Sequence, residues 1–139
     1  MIERSGTGEH IKRLLEEAKT IAVVGLSPKT GRPSNMVAAY LIGQGYDVVP
    51  VNPGHAEILG RTCYPDLFSI PRKVDIVDIF RRPEDVPPIV DQAVAIGAGA
   101  VWMQQGISND AAAETAAKAG MTVIMDRCVK VDHAQLIGG

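Results

Sequence analysis

Four short stretches hold the residues able to do chemistry, and their charge is one-sided. Residues 25–35 carry Lys29 and Arg32, residues 52–56 carry His55, and residues 80–83 carry Arg81 and Arg82; residues 103–108 are uncharged. None of the four contains an aspartate or glutamate, although the chain has 16 acids against 14 lysines and arginines. Basic residues gathered in acid-free loops point to an anionic ligand. The first stretch says most. Residues 20–35 read TIAVVGLSPKTGRPSN, in which a β-branched run (Ile21, Val23, Val24) stops at Gly25. A loop of Leu26, Ser27, Pro28, Lys29, Thr30, Gly31 and Arg32 follows. Pro33, Ser34 and Asn35 then offer a proline and two side-chain caps ahead of the helical spacing Val37, Ala38, Leu41, Ile42. Strand, glycine-broken loop and helix start form half of a nucleotide-binding βαβ unit, and the unpaired N–H groups of such a start suit a phosphate.

The loop is neither of the two common phosphate signatures. Gly25 and Gly31 are separated by five residues, unlike GxGxxG, and Gly31 is followed by Arg32-Pro33 where a Walker A loop has Lys-Ser/Thr. Asn52 closes the second strand where an NAD site usually has a carboxylate for the ribose hydroxyls. Its absence tilts the choice toward a 2′- or 3′-phosphorylated nucleotide. Catalytic constellations are thin. His10 and His133 fall outside the four loops and read as surface or packing residues, and Cys63 and Cys128 as small hydrophobes. Asp75 and Asp78, three apart on a strand, face opposite ways and make a poor acid/base pair. No His/Cys/Asp spacing resembles a metal site, and Trp102 and Met103 read first as core.

The elements that must hold these loops follow from periodicity. Residues 9–18 make a leading amphipathic helix (Ile11, Leu14, Leu15, Ala18) with Thr7 as N-cap. The helix after residue 35 ends near Gly43 and Gly45, which suit left-handed caps. Residues 47–51 form a second strand, closed by Asn52, Pro53 and Gly54; residues 60–71 hold a short extended piece and one helical turn after Asp66. A third strand spans 74–80, and a helix starting around Pro87 places Ile89, Val90, Ala93 and Val94 toward the core. Residues 100–103 form a fourth strand. Ser108 caps an alanine-rich helix ending at Gly120, and 121–125 form a fifth strand. This alternation predicts an α/β fold: one Rossmann-like, doubly wound, five-stranded parallel sheet in three α/β/α layers, a single domain over residues 1–139. In such sheets the ligand lies at the carboxyl ends of the strands, which is where the four loops fall.

Bulk properties narrow the class. A length of 139 residues buries roughly 70% of the unfolded surface. The net charge of −2 argues against a general nucleic-acid binder, and no apolar run approaches the ~20 residues of a membrane span. Two cysteines without a CxxC pair, and no signal-peptide core near the N-terminus, point to a reduced cytoplasmic setting.

Taken together, residues 20–35, Val51-Asn52-Pro53-Gly54, Ile79-Phe80-Arg81-Arg82-Pro83, residues 101–107 and Met125-Asp126-Arg127-Cys128 resemble the small stand-alone CoA-binding proteins. These are similar to the N-terminal CoA-binding domain of the succinyl-CoA synthetase alpha subunit. The resemblance covers nearly the whole chain. It implies that residues 27–31 meet the CoA phosphates, with Gly25, Leu26, Arg32, Ser34 and Asn35 completing that loop. It also implies that Asn52, Pro53 and His55 line the adenosine and its 3′-phosphate. Phe80, Arg81, Arg82 and Pro83, with Met103, Gln104, Gln105 and Gly106, would flank the adenine and the pantetheine arm. This chain has Pro28 where the synthetase loop is richer in glycine, and His55 where it has lysine. No counterpart of the phosphohistidine domain is expected. The implied function is therefore binding of coenzyme A or an acyl-CoA without intrinsic catalysis. An NAD(P)-binding enzyme or sensor on the same fold stays open, as do a CoA-binding subunit serving a separate ligase chain and a homo-oligomer.

Overall fold

A computed structural model describes residues 2–3 and 8–138 of the chain. In chain order the elements are β1 (Ile2–Glu3), α1 (Gly8–Glu17), β2 (Thr20–Val24), α2 (Pro33–Gly43) and β3 (Asp47–Val51). A small antiparallel pair follows, β4 (Glu57–Ile58) and β5 (Arg61–Thr62), and then β6 (Ile76–Ile79) and α3 (Val86–Ala95). The rest comprises β7 (Ala100–Met103), α4 (Asp110–Lys118), β8 (Thr122–Ile124) and α5 (Val129–His133), which runs on into a π-helical turn, Ala134–Gly138. The main sheet has the order β1-β8-β7-β6-β2-β3, parallel throughout. The five strands read from the sequence are all there, and β1 adds a two-residue edge beside β8. The chain moves outward from β2 to β3, then returns to β6 on the other side of β2. The order of the sheet therefore reverses between β2 and β6, where a ligand crevice is expected.

Alternation along the strands creates two cores. Ile21, Val23, Ile76, Trp102 and Ile124 face Ile11 and Leu15 of α1, Val37 and Leu41 of α2, and Val129 of α5. Ala22, Val24, Val77, Val101 and Val123 face α3 and α4 through Val86, Val90, Ala93, Ala112 and Ala116. Because both faces are covered, the strands read as unbroken apolar runs.

Several boundaries differ from expectation for local reasons. Thr7 lies outside the described residues. The left-handed residue after α2 is Gly45 (φ +96); Gly43 is the last helical residue. The cap of α4 is Asn109, whose side chain accepts from the Ala112 N–H, so Ser108 does not fill that role. The strand expected over 74–80 narrows to β6, and Asp75 accepts the N–H groups of Lys19 and Thr20 at 2.9 Å each. The helical turn after Asp66 is a 3-10 turn, Leu67–Ser69, capped by the Asp66 carboxylate.

Candidate functional site

The site begins where β2 ends. Gly25 has φ +88, and a Cβ placed there would lie 2.2 Å from the Phe80 carbonyl oxygen. No other residue lets the chain leave β2 so close to the end of β6. The loop beyond is tied down by the first turn of α2. Ser27 N–H donates to Ser34 Oγ (2.9 Å), and Asn35 Nδ2 donates to the Ser27 carbonyl (2.9 Å). Ser34 and Asn35 are thus not helix caps. Arg32 is the N-cap, it makes no side-chain cap bond, and Pro33 opens the helix. A proline start leaves the first-turn N–H groups without carbonyl partners inside the helix, facing the loop.

Beside this turn lies a cleft of ≈ 510 Å³ whose lining includes Gly25, Ser27, Arg32, Phe80, Arg81 and Arg82. Pro33, Ser34, Asp85 and Ile107 complete it. Loops 25–35 and 80–83 therefore converge on one rim, at the reversal of strand order. The rim is not acid-free. Arg82 Nε donates to Asp85 Oδ2 at 3.0 Å, which orients the guanidinium and offsets part of its charge. Asp85 stands three residues after Arg82, so the pairing was visible as an i,i+3 spacing. Ile107 was also missed as a lining residue; it directly follows Gly106 in the fourth loop.

A second cleft of ≈ 440 Å³ shares Pro33, Phe80 and Ile107 with the first and continues along Val37, Gln104, Gln105 and Cys128. No charged side chain lines it. Its far wall is laced together. Gly106 N–H donates to Asp126 Oδ1 (2.6 Å), Trp102 Nε1 to the Arg127 carbonyl (2.8 Å), and Val129 N–H to Gln104 Oε1 (3.2 Å). Arg127 is held by a two-point contact with buried Asp132, at 2.7 and 2.8 Å.

Other expected site residues lie elsewhere. Leu26 and Met103 are fully buried, so they are core. Asn52 spends its amide on the Leu26 carbonyl (2.9 Å), which fastens the second-strand loop to the first. Pro53 and Arg81 border a smaller cleft of ≈ 150 Å³. Lys29, Thr30, Gly31 and His55 are exposed and line none of these clefts. The Pro83 carbonyl accepts from Asn109 Nδ2.

Among the titratable groups, His133 is a packing histidine. It is buried against Tyr40 and Tyr46, shares a 2.8 Å hydrogen bond with the Tyr40 hydroxyl, and burial pushes its imidazole below the ordinary range. Cys63 is buried and donates to the Asn52 carbonyl (3.4 Å); desolvation raises its thiol. Asp78 is the anomaly. It is fully buried on β6 between Val23 and Trp102, neither carboxylate oxygen has a hydrogen-bond partner, and burial holds its carboxyl well above the usual range. Among the described residues no group of three His, Cys, Asp or Glu could hold a metal, and no helix is long and apolar enough to cross a membrane.

Residues 19–134 match the family model described as a CoA binding domain. The Bacillus subtilis protein YneT, called uncharacterized, is 42% identical over 124 residues, covering 89% of this chain and 92% of that one. The ADP-forming acetate–CoA ligase I of Archaeoglobus fulgidus is 37% identical over 89 residues, 58% of this chain but 13% of the ligase. A hypothetical protein from Pyrococcus horikoshii superposes with a TM-score of 0.94 at 42% identity, covering 96% of this chain and 94% of that one.

Proposed function

The chain belongs to the CoA-binding domain family, and from that premise we propose that its arginine-lined crevice binds coenzyme A or an acyl-CoA. The observation that carries the reading is the two-part trough: Arg32, Arg81 and Arg82 gather at one end, and an uncharged extension runs from Phe80 to Cys128. That polarity matches a molecule with a phosphorylated nucleotide head and a neutral arm. Arg32, Ser27 and the first-turn N–H groups of α2 meet the pyrophosphate. Arg81 and Arg82 approach the 3′-phosphate, and Phe80 and Ile107 flank the start of the arm.

A thermal-shift series with CoA, dephospho-CoA, NAD, NADP and ATP tests this. At 100 times its dissociation constant a ligand adds about 2.7 kcal/mol of apparent stability. CoA should give the largest shift, and Arg81→Ala should shrink its margin over dephospho-CoA. Equal shifts from the two remove the 3′-phosphate contact; no shift with CoA removes the reading. The ligase likeness favours one addition: this chain supplies the CoA site to a separate ligase chain. Co-purification of such a partner tests that.

A further inference from the structure

We propose that Cys128 forms a mixed disulfide with the sulfur end of the bound nucleotide, by exchange with a CoA disulfide. The inference rests on the CoA reading above and adds a covalent site to it.

The trough sets the direction. Its two clefts share Pro33, Phe80 and Ile107, so they are continuous, and its arginines stand only at the Gly25 end. A nucleotide anchored there extends its uncharged arm toward Gln104, Gln105 and Cys128. Cys128 is half-buried and lines both this cleft and a neighbouring one of ≈ 240 Å³, so its sulfur is open to the trough and to the solvent side. A second, independent feature marks the same stretch. The strand row Gly25–Phe80–Gln104 continues the row Val23–Asp78–Trp102. Asp78 therefore projects from the same sheet face as Phe80 and Gln104, toward the layer in which the trough runs, with both oxygens unpartnered. A fully buried polar group without a partner is costly, and folding alone gives it no use there. Its unspent hydrogen-bonding capacity beneath the uncharged stretch is what a polar arm above would use.

The chemistry balances without an added oxidant. Cys128 loses its proton to solvent and its sulfur attacks one sulfur of the CoA disulfide. The protein–CoA S–S bond forms as the original S–S bond breaks, and the departing CoA thiolate takes a proton from water. One disulfide replaces another, and no electrons are gained or lost overall. Cys63 is excluded by its burial, its hydrogen bond to Asn52 and its raised thiol.

The intact protein is incubated with CoA disulfide or with pantethine, the disulfide of the arm without the nucleotide, and followed by non-reducing mass spectrometry with peptide mapping. The expected result is one CoA per chain, on Cys128, formed about tenfold or more faster than the pantetheine adduct because the nucleotide raises the local concentration. Cys128→Ser abolishes the adduct. Desulfo-CoA, which lacks the sulfur, still raises the melting temperature of wild type and Cys128→Ser alike. Equal rates with the two disulfides, or labelling of Cys63, overturn the exchange; if desulfo-CoA still shifts melting, CoA binding stands. If desulfo-CoA gives no shift either, both fall.

Discussion

On β6, Asp78 lies between Val23 and Trp102 with neither oxygen hydrogen-bonded, in a chain whose other buried polar groups are satisfied among the described residues. Burial raises its carboxyl well above the usual range, so the folded chain keeps a proton that the unfolded chain releases above pH about 3.9. The native state then binds more protons, so this group's contribution is fully favourable below about pH 4 and is lost as pH rises toward the folded value. Asp78→Asn keeps the shape and removes the titration. It should raise stability at pH 7 by about 1–3 kcal/mol, with the gain vanishing near pH 4. Urea unfolding at the two pH values checks this, and a gain independent of pH contradicts it. The sequence showed Asp78 as a strand residue facing away from Asp75. It could not show that no partner would arrive, because the facing groups come from β2 and β7, far away in the chain.

At the scale of elements, periodicity located the strands and helices well, and errors gathered at helix starts. Ser34, Asn35 and Ser108 all have cap chemistry. Which of them caps depends on where the preceding backbone turns, and that is set by tertiary contacts. Pro33 lets α2 begin one residue early, which places Ser34 and Asn35 inside the first turn and frees their side chains to hold Ser27. The phosphate loop is therefore preorganised by the helix it leads into. Asn35→Ala leaves the Ser27 carbonyl without that bond and should cost about 1–2 kcal/mol in urea unfolding. Because a loosened loop must be re-ordered on binding, CoA affinity should also fall, by roughly threefold to tenfold in calorimetry. Loss of stability with unchanged affinity would show that Ser27 is not held for the ligand.

For the molecule as a whole, the α/β class followed from the alternation of elements, and the two-sided core from the apolar strands. Strand order did not. The return from β3 across β2 to β6 depends on helix packing that no local pattern encodes, and it is this return that brings residues 25–35 and 80–83 to one rim. Charge shows the same limit. The loops looked acid-free in sequence, yet Asp85 reaches the rim from the next turn, and Lys29 and His55 line none of the clefts described. Three arginines on a protein of net charge −2 make a local positive field within an overall negative one. Such a field acts over about 10 Å at 0.1 M salt and less at higher salt. Each exposed arginine–phosphate pair contributes roughly 0.2–1 kcal/mol, so screening all three should weaken CoA binding about tenfold between low and high salt. Dephospho-CoA lacks the group nearest Arg81 and Arg82 in this reading, so it should lose about threefold over the same range. Titration calorimetry of both ligands across a salt series measures the difference. Parallel salt slopes would mean that Arg81 and Arg82 do not meet the 3′-phosphate. A flat slope for CoA would mean that the uncharged trough, and not the arginine rim, carries the affinity.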